Sequence, residues 1–322
     1  MSFRISRLAR RTLLAAVGTG VSCVGTVSLS QAQGPTPETG ATLFPGGAYI
    51  SYNSIFTTRR LAAGSGAGLP ITARPTFMHE IPLTFAWGFR RDFQLTVVVP
   101  IVNTRFEASA ADRTNRPGGT GLGDVLVLLK YRFLRLDSER GTTQASFTFG
   151  PKLPVGRTSL RDASGARLPA GLQPGSGSTD LFFSLSATYT GLFLLKRLVA
   201  DESITYLWRR QGSQQTQLGS TFESRFWLPY RPYQTRSVDK EWFIGPALTW
   251  LHDGQDRQAG IPQAGSGSDV LLLGATTYVG VRRGLVVWIG ADFPVAQTAG
   301  TSHTQIRHRF SLGITQQFRL HQ

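Results

Sequence analysis

Cysteine is almost missing from this chain. The 322 residues contain one, Cys23. It falls inside a leader-like first segment, so a chain cut after residue 32 has no thiol at all. That excludes disulfides, a zinc–thiolate site and a thiol nucleophile. Charge is also scarce, with Asp, Glu, Lys and Arg making up 16%, where soluble domains average about 25%. Acidic residues are the scarcer sign, 19 against 34 basic. Beyond the leader no stretch of about 18 apolar residues occurs, which excludes a bundle of membrane-spanning helices. Mean hydropathy is −0.08, too polar for such a bundle. It suits a barrel, in which only alternate residues meet lipid. Helical periodicity is missing at any useful length.

The leader itself is well formed. Arg4, Arg7, Arg10 and Arg11 make a basic start, an apolar stretch runs from about Thr12 to Leu29, and Ser30-Gln31-Ala32 offers small residues for cleavage before Gln33. An uncleaved anchor and a lipoprotein cut at Cys23 are the alternatives. Gly18, Gly20 and Gly25 weaken the first, and Gly20-Val21-Ser22 lacks the leucine that the second needs. The expected organisation is a signal peptide over 1–32, a short N-terminal segment over 33–45 and one β domain over 46–322. Formal charge falls from +15 to +11 when the four leader arginines are removed. An exported basic chain meets anionic lipid, lipopolysaccharide and anionic solutes sooner than nucleic acid, which is not expected as a partner.

What is abundant is period two. Phe77, His79, Ile81, Leu83, Phe85, Trp87 and Phe89 alternate with Glu80, Pro82, Thr84, Ala86, Gly88 and Arg90. Ile306, His308, Phe310, Leu312, Ile314, Gln316, Phe318 and Leu320 alternate with Arg307, Arg309, Ser311, Gly313, Thr315, Gln317 and Arg319. Side chains alternate across a strand, so each segment presents one face to lipid and one to water. Strands are expected over 46–56, 76–89, 92–106, 122–135, 143–156, 179–194, 197–210, 219–230, 240–252, 268–282, 284–295 and 306–320. Long connections alternate with short ones, Arg90-Arg91 and Arg283 among the short. Membrane barrels show that rhythm, with short periplasmic turns and longer external loops. The fold class expected is all-β: an antiparallel up-and-down transmembrane β-barrel of about 12 strands in the bacterial outer membrane.

Several motifs recur in order: Phe89-Arg90-Arg91-Asp92-Phe93 through Pro100, Gly121-Leu122-Gly123-Asp124, Lys130-Tyr131-Arg132-Phe133, Leu153-Pro154-Val155-Gly156-Arg157 and a Gly-Ser-Gly-Ser run ending at Asp180. In this the chain resembles the outer-membrane barrels grouped as transporters of a meta-pathway for phenol degradation, from about Gly46 to Leu320. The resemblance implies a roughly twelve-stranded barrel and uptake of aromatic or other small compounds. It supplies no catalytic residue. The ending Phe318-Arg319-Leu320-His321-Gln322 lacks the terminal aromatic residue common in such barrels, and Phe318 is expected to serve the barrel-assembly machinery from an internal position.

Chemistry is sparse otherwise. His79, His252, His303, His308 and His321 are dispersed and fit no Gly-x-Ser-x-Gly or His-Glu-x-x-His pattern. No enzyme, metal or cofactor is expected. The Asp-bearing glycine repeats, one carboxylate each, mark strand starts better than calcium sites. Trp87, Trp227, Tyr230, Tyr233, Trp242 and Phe318 sit near short-turn ends and are expected to form an interfacial girdle. The expected solute path is inward-facing: Glu80, Lys130, Arg132, Lys152, Glu223, Arg225, Trp288, Asp292, Arg307, Arg309 and Arg319. Loop 157–178 is expected to fold into the mouth. Passive or facilitated passage of small solutes, aromatic or anionic, is the expected function. The alternatives are a plugged surface barrel that binds without conducting, and a barrel hydrolase.

Overall fold

The computed structural model describes residues 39–61, 75–106, 117–139, 141–191, 197–232, 242–282, 284–300 and 304–320. The leader, Tyr233, His303 and His321 lie outside them. The strands are β1 (Gly47–Leu61), β2 (Phe77–Arg90), β3 (Phe93–Arg105), β4 (Gly118–Leu122), β5 (Val125–Ser138), β6 (Gly141–Leu153), β7 (Asp180–Thr190), β8 (Val199–Trp208), β9 (Thr216–Gln217), β10 (Thr221–Trp227), β11 (Trp242–Asp253), β12 (Arg257–Gln258), β13 (Ile261–Pro262), β14 (Ser268–Arg282), β15 (Leu285–Ala299) and β16 (Thr304–Arg319). Each long strand pairs antiparallel with its neighbours, and β1 closes on β16. β4 and β5 both pair with β3 and form a single stave interrupted at Gly123-Asp124. Twelve staves result, and β9, β12 and β13 make a small separate sheet. Closure leaves no unpaired edge, which a sheet in lipid could not tolerate.

Alternation sets the two faces. Ile50, Tyr52, Leu83, Phe85, Phe133, Phe147, Leu185, Leu248, Ile289, Phe310 and Ile314 are exposed on the outside. Ser51, Asn53, Glu80, Thr148, Ser184, Thr249 and Ser311 on the other register are buried inside. The connections keep the expected rhythm: the long-loop end carries 154–179, 209–220 and 254–267, and the short-turn end carries 91–92, with β14 ending at Arg282 and β15 beginning at Leu285. Strands overrun several expected limits. β1 continues to Leu61, not residue 56, and β15 reaches Ala299, not residue 295. β10 stops at Trp227, because Pro229 has no N–H to continue the ladder, and Tyr230 keeps only isolated bridges to Leu198 and Ile244.

Two local irregularities matter for the interior. Pro82 faces Pro100 across β2 and β3, and the β1–β2 register pauses between Tyr52↔Leu83 and Ile55↔Glu80. A bulge at Thr58/Arg59 displaces the pairing of β1 with β16, from Thr58↔His308 to Arg59↔Ile306. A one-residue slip exchanges the faces. Ile306, expected to face outward, is therefore buried inside with Leu251, Val270 and Leu272. Arg307, expected inside, is exposed at the bulge.

Candidate functional site

The interior has three tiers. At the long-loop end the loop after β6 folds inward as expected and forms a lid. Leu160, Leu168 and Leu172 pack on Phe106. Burying one leucine contributes about 1.5–3 kcal/mol. The lid's polar backbone is satisfied by Gln173, whose Nε2 donates to Leu160 O (3.1 Å) and Leu168 O (2.8 Å), while its Oε1 accepts from Leu160 N (2.9 Å). Thr104 Oγ1 donates to Leu172 O at 2.7 Å and ties the lid to the wall. Its two stems cross so closely that a Cβ on Gly156 would lie 2.6 Å from Gly175 Cα. Asp124 clamps both stems, accepting from Gly156 N (3.1 Å), Ser176 N (2.8 Å) and Ser176 Oγ (2.6 Å). Lys152 Nζ bridges Asp124 and Asp180, 2.7 Å from each. The Asp-bearing repeats thus do more than begin strands.

The middle tier fills the lumen. Ile55, Glu80, Val98, Leu126, Thr148, Phe182, Thr205, Arg225, Thr249, Thr276, Asp292 and Arg309, one from each stave, are all 4% exposed or less. Val98 and Thr148 also line the cavity beneath. Asp292 holds the charged centre: Arg309 Nε donates to it at 2.8 Å, and Arg225 Nη1 lies 3.7 Å away. Arg225 also donates to Thr249 Oγ1 (3.2 Å) and Thr276 Oγ1 (3.1 Å). The Glu80 carboxyl group accepts no hydrogen bond among the described residues. Glu223 is half-buried two residues before Arg225 on the same face of β10. Trp288 packs against Gly313 of β16, where an added Cβ would come 2.4 Å from Trp288 Cε2.

The lower tier, at the short-turn end, contains a cavity of about 560 Å³. One wall is the segment before β1. Gly40 N donates to Thr188 Oγ1 (2.8 Å), Lys130 Nζ to Thr39 O (2.5 Å), and Leu43 N to Gln94 Oε1 (3.1 Å). The opposite wall is aromatic. Trp227 and Tyr278 rings lie 5.2 Å apart, Tyr278 and Trp288 rings 6.2 Å apart, and the Arg231 guanidinium sits 5.1 Å over Phe243. Asp201 faces the cavity and accepts from Thr188 Oγ1.

Of the expected path residues, Glu80, Lys130, Arg132, Lys152, Arg225, Trp288, Asp292 and Arg309 are inside and buried. All five cations among them are partnered. Arg132, for example, is 2.6 Å from Asp92 and donates to Gln144 Oε1 at 2.8 Å. Arg319 is exposed at the strand end, opposite Gly47. Trp227, expected in the girdle, is 5% exposed and faces the lumen. Its odd-numbered register, shared with Arg225, already pointed there. Trp87, Tyr230, Trp242 and Phe318 remain on the outer register, with Trp242 Nε1 donating to Thr277 Oγ1 at 2.8 Å. Asp201, Tyr278, Phe243 and Arg231 were not singled out by sequence, and Asp124 and Asp180 only as markers of strand entry. The inward parity of Asp180 and Asp201 was the signal that could have found them.

No family model and no curated protein matches the chain. Among solved structures it is similar to an outer membrane channel from Pseudomonas putida F1, with 15% identity, coverage of 86% of this chain and 97% of that one, and a TM-score of 0.56. It also aligns with the KdgM porin at 10% identity, covering 84% and 99%, with a TM-score of 0.42. The TodX monoaromatic hydrocarbon channel, as its deltaS2 mutant, aligns at 8% identity, covering 87% and 91%, with a TM-score of 0.41. The chain is a closed twelve-stave antiparallel β-barrel, the fold it shares with the Pseudomonas channel.

Proposed function

We propose that this chain is exported through its N-terminal leader to the outer membrane and there admits small solutes, anionic and aromatic compounds among them. The observation that carries the reading is the two-sided barrel wall, apolar and exposed outside, polar and cavity-bearing inside. The likeness to an outer membrane channel supports it. So does the resemblance to barrels grouped with phenol degradation. Lipid and lipopolysaccharide surround the barrel in this reading, the assembly machinery inserts it, and the short turns face the periplasm. It requires no catalytic step.

The filled middle tier makes this a gated conduit, not a standing water-filled pore. Passage requires the lid over 157–178 and the side chains beneath it to rearrange. Swelling of liposomes containing the refolded chain 33–322 tests the reading. Small organic acids are expected to enter, and a trisaccharide is expected to stay out. The same filled tier favours a second reading, a surface barrel that binds without conducting. Absence of swelling with every solute, in protein shown to be folded, selects that second reading.

A further inference from the structure

We propose that the outer wall of the barrel carries a seat for the phosphorylated head group of lipid A, the lipid moiety of lipopolysaccharide. Arg60, Arg105 and Arg307 form it, at the long-loop end of β1, β3 and β16. One flank of the barrel, not its whole circumference, then holds the lipid. The inference rests on the reading that the long loops lie outside the cell.

Three observations converge. The first is the bulge. Thr58 pairs with His308 and Arg59 with Ile306, which leaves Arg307 as the extra residue between them. Ile306 and Arg309 are buried, whereas Arg307 is exposed and His308 half-buried. Bulges re-aim side chains, and unbroken alternation would have sent Arg307 into the lumen with Arg309. The second is placement. One row of ladder partners across four neighbouring staves reads His308, Thr58, Phe77, Arg105. Arg60 and Arg307 stand just beyond that row on the loop side, and all three arginines are exposed. Toward the short-turn end the same face turns apolar, with Ile101, Phe310 and Leu312 exposed on it. The arginines therefore mark the upper border of the lipid-facing band, where a cation is tolerated; at mid-band it is not.

The third is charge. Among the described residues no carboxylate lies within ion-pair distance of Arg60, Arg105 or Arg307. Arg60 Nε donates to Gln305 Oε1 at 3.0 Å, and the Arg105 guanidinium lies 5.9 Å over the Phe77 ring. Both contacts orient a guanidinium without neutralising it. The one acid on β1, β2, β3 and β16 is Glu80, buried on the lumen side. Of the adjoining loops, which lie outside the described residues, 62–74 carries Arg74 and no acid, and 107–116 matches Glu107 and Asp112 with Arg113 and Arg116. Two strand spacings, about 10 Å, separate β1 from β3, so the Arg60–Arg307 pair and Arg105 make two cationic points. Guanidinium forks bind phosphate bidentately. Lipid A is a sugar pair with a phosphate at each end and acyl chains beneath. Its phosphates meet the two points while its chains lie along the apolar band. A glycerophospholipid has one phosphate and answers one point, and inorganic phosphate leaves the band uncovered.

The test uses refolded chain 33–322 in detergent micelles with EDTA, which removes divalent cations that would bridge phosphates. The probes are deep-rough lipopolysaccharide, the same lipid enzymatically dephosphorylated, phosphatidylglycerol and inorganic phosphate. Native mass spectrometry counts bound lipid, and the rise in melting midpoint with lipid concentration gives affinity. The phosphorylated lipopolysaccharide is expected to bind about tenfold or more tightly than any of the other three, with the margin shrinking as salt is raised. Arg60→Gln with Arg307→Gln is expected to remove most of that margin and to leave the dephosphorylated lipid unchanged. Arg90→Gln with Arg319→Gln, two exposed arginines at the short-turn end, is expected to keep it. Equal affinity for the phosphorylated and stripped lipids, a margin unmoved by the Arg60 and Arg307 changes, or equal loss from the Arg90 and Arg319 changes overturns the proposal. The lipid comparison on the unaltered chain decides the matter even where a double variant fails to fold. Conductance and tag exposure are read separately. A conducting barrel with its long loops outside but no phosphate preference loses the seat and keeps the conduit. Phosphate-dependent binding by a barrel silent in bilayers keeps the seat and removes the conduit. Long loops found on the periplasmic side turn the arginines toward the inner leaflet and remove the seat.

Discussion

Asp292 shows how much one inward residue carries. It neutralises Arg309 at 2.8 Å and Arg225 at 3.7 Å, all three side chains being buried. Removing one member of such a buried set leaves uncompensated charge, at a cost of about 3–5 kcal/mol. Asp292→Asn should therefore lower the urea midpoint of the refolded barrel clearly, and an unchanged midpoint would show that Arg225 and Arg309 are neutralised elsewhere. Gly313→Ala tests the same tier sterically. The new Cβ would meet Trp288, and overpacking of this kind costs about 1–3 kcal/mol. At this scale the sequence was legible wherever parity held. Glu80, Lys130, Arg132, Lys152, Arg225, Asp292 and Arg309 face inward as their register implies. Parity failed at Arg307 because a bulge shifts the pairing of β1 with β16, and nothing in the local residue pattern announces that shift. Trp227 was misread for another reason: its position near a turn was weighed above its register.

The staves were legible because each buries one face against the lumen and exposes the other, so period two is written into twelve separate segments. Their ends were less legible. Termination at Trp227 depends on Pro229, and the overrun of β1 to Leu61 depends on a bulge, neither of which follows from alternation. The lid was foreseeable only as a long loop. Its fold depends on Gln173, which bonds the backbone of Leu160 and Leu168 within the loop, and on Asp124, whose partners Gly156 and Ser176 are distant in sequence. Replacing residues 158–174 with a short Gly-Ser linker should leave the barrel folded and raise solute entry into liposomes. An unchanged rate would mean that the tier beneath, not the lid, is the seal. An epitope inserted near Ser164 should be reachable on intact cells, and one between Arg90 and Arg91 should not. The reverse pattern would invert the barrel.

For the whole molecule, the barrel class followed from the long–short rhythm and the absence of helical spans, while the filled interior did not. Whether a barrel of this circumference is open or packed depends on how far opposing side chains reach, which parity does not report. The leader reading predicts a mature N-terminus at Gln33, and mass spectrometry that finds Met1 intact or a lipidated Cys23 would refute it. The central claim is that this barrel is a gated, anion-favouring conduit. Its most direct test is the current across a planar bilayer under a salt gradient, recorded for the mature chain and for the lid-replaced variant. The account predicts small, intermittent currents from the first, larger sustained currents from the second, and a reversal potential on the anion side in both. A silent bilayer with both proteins, or a reversal potential on the cation side, would contradict it.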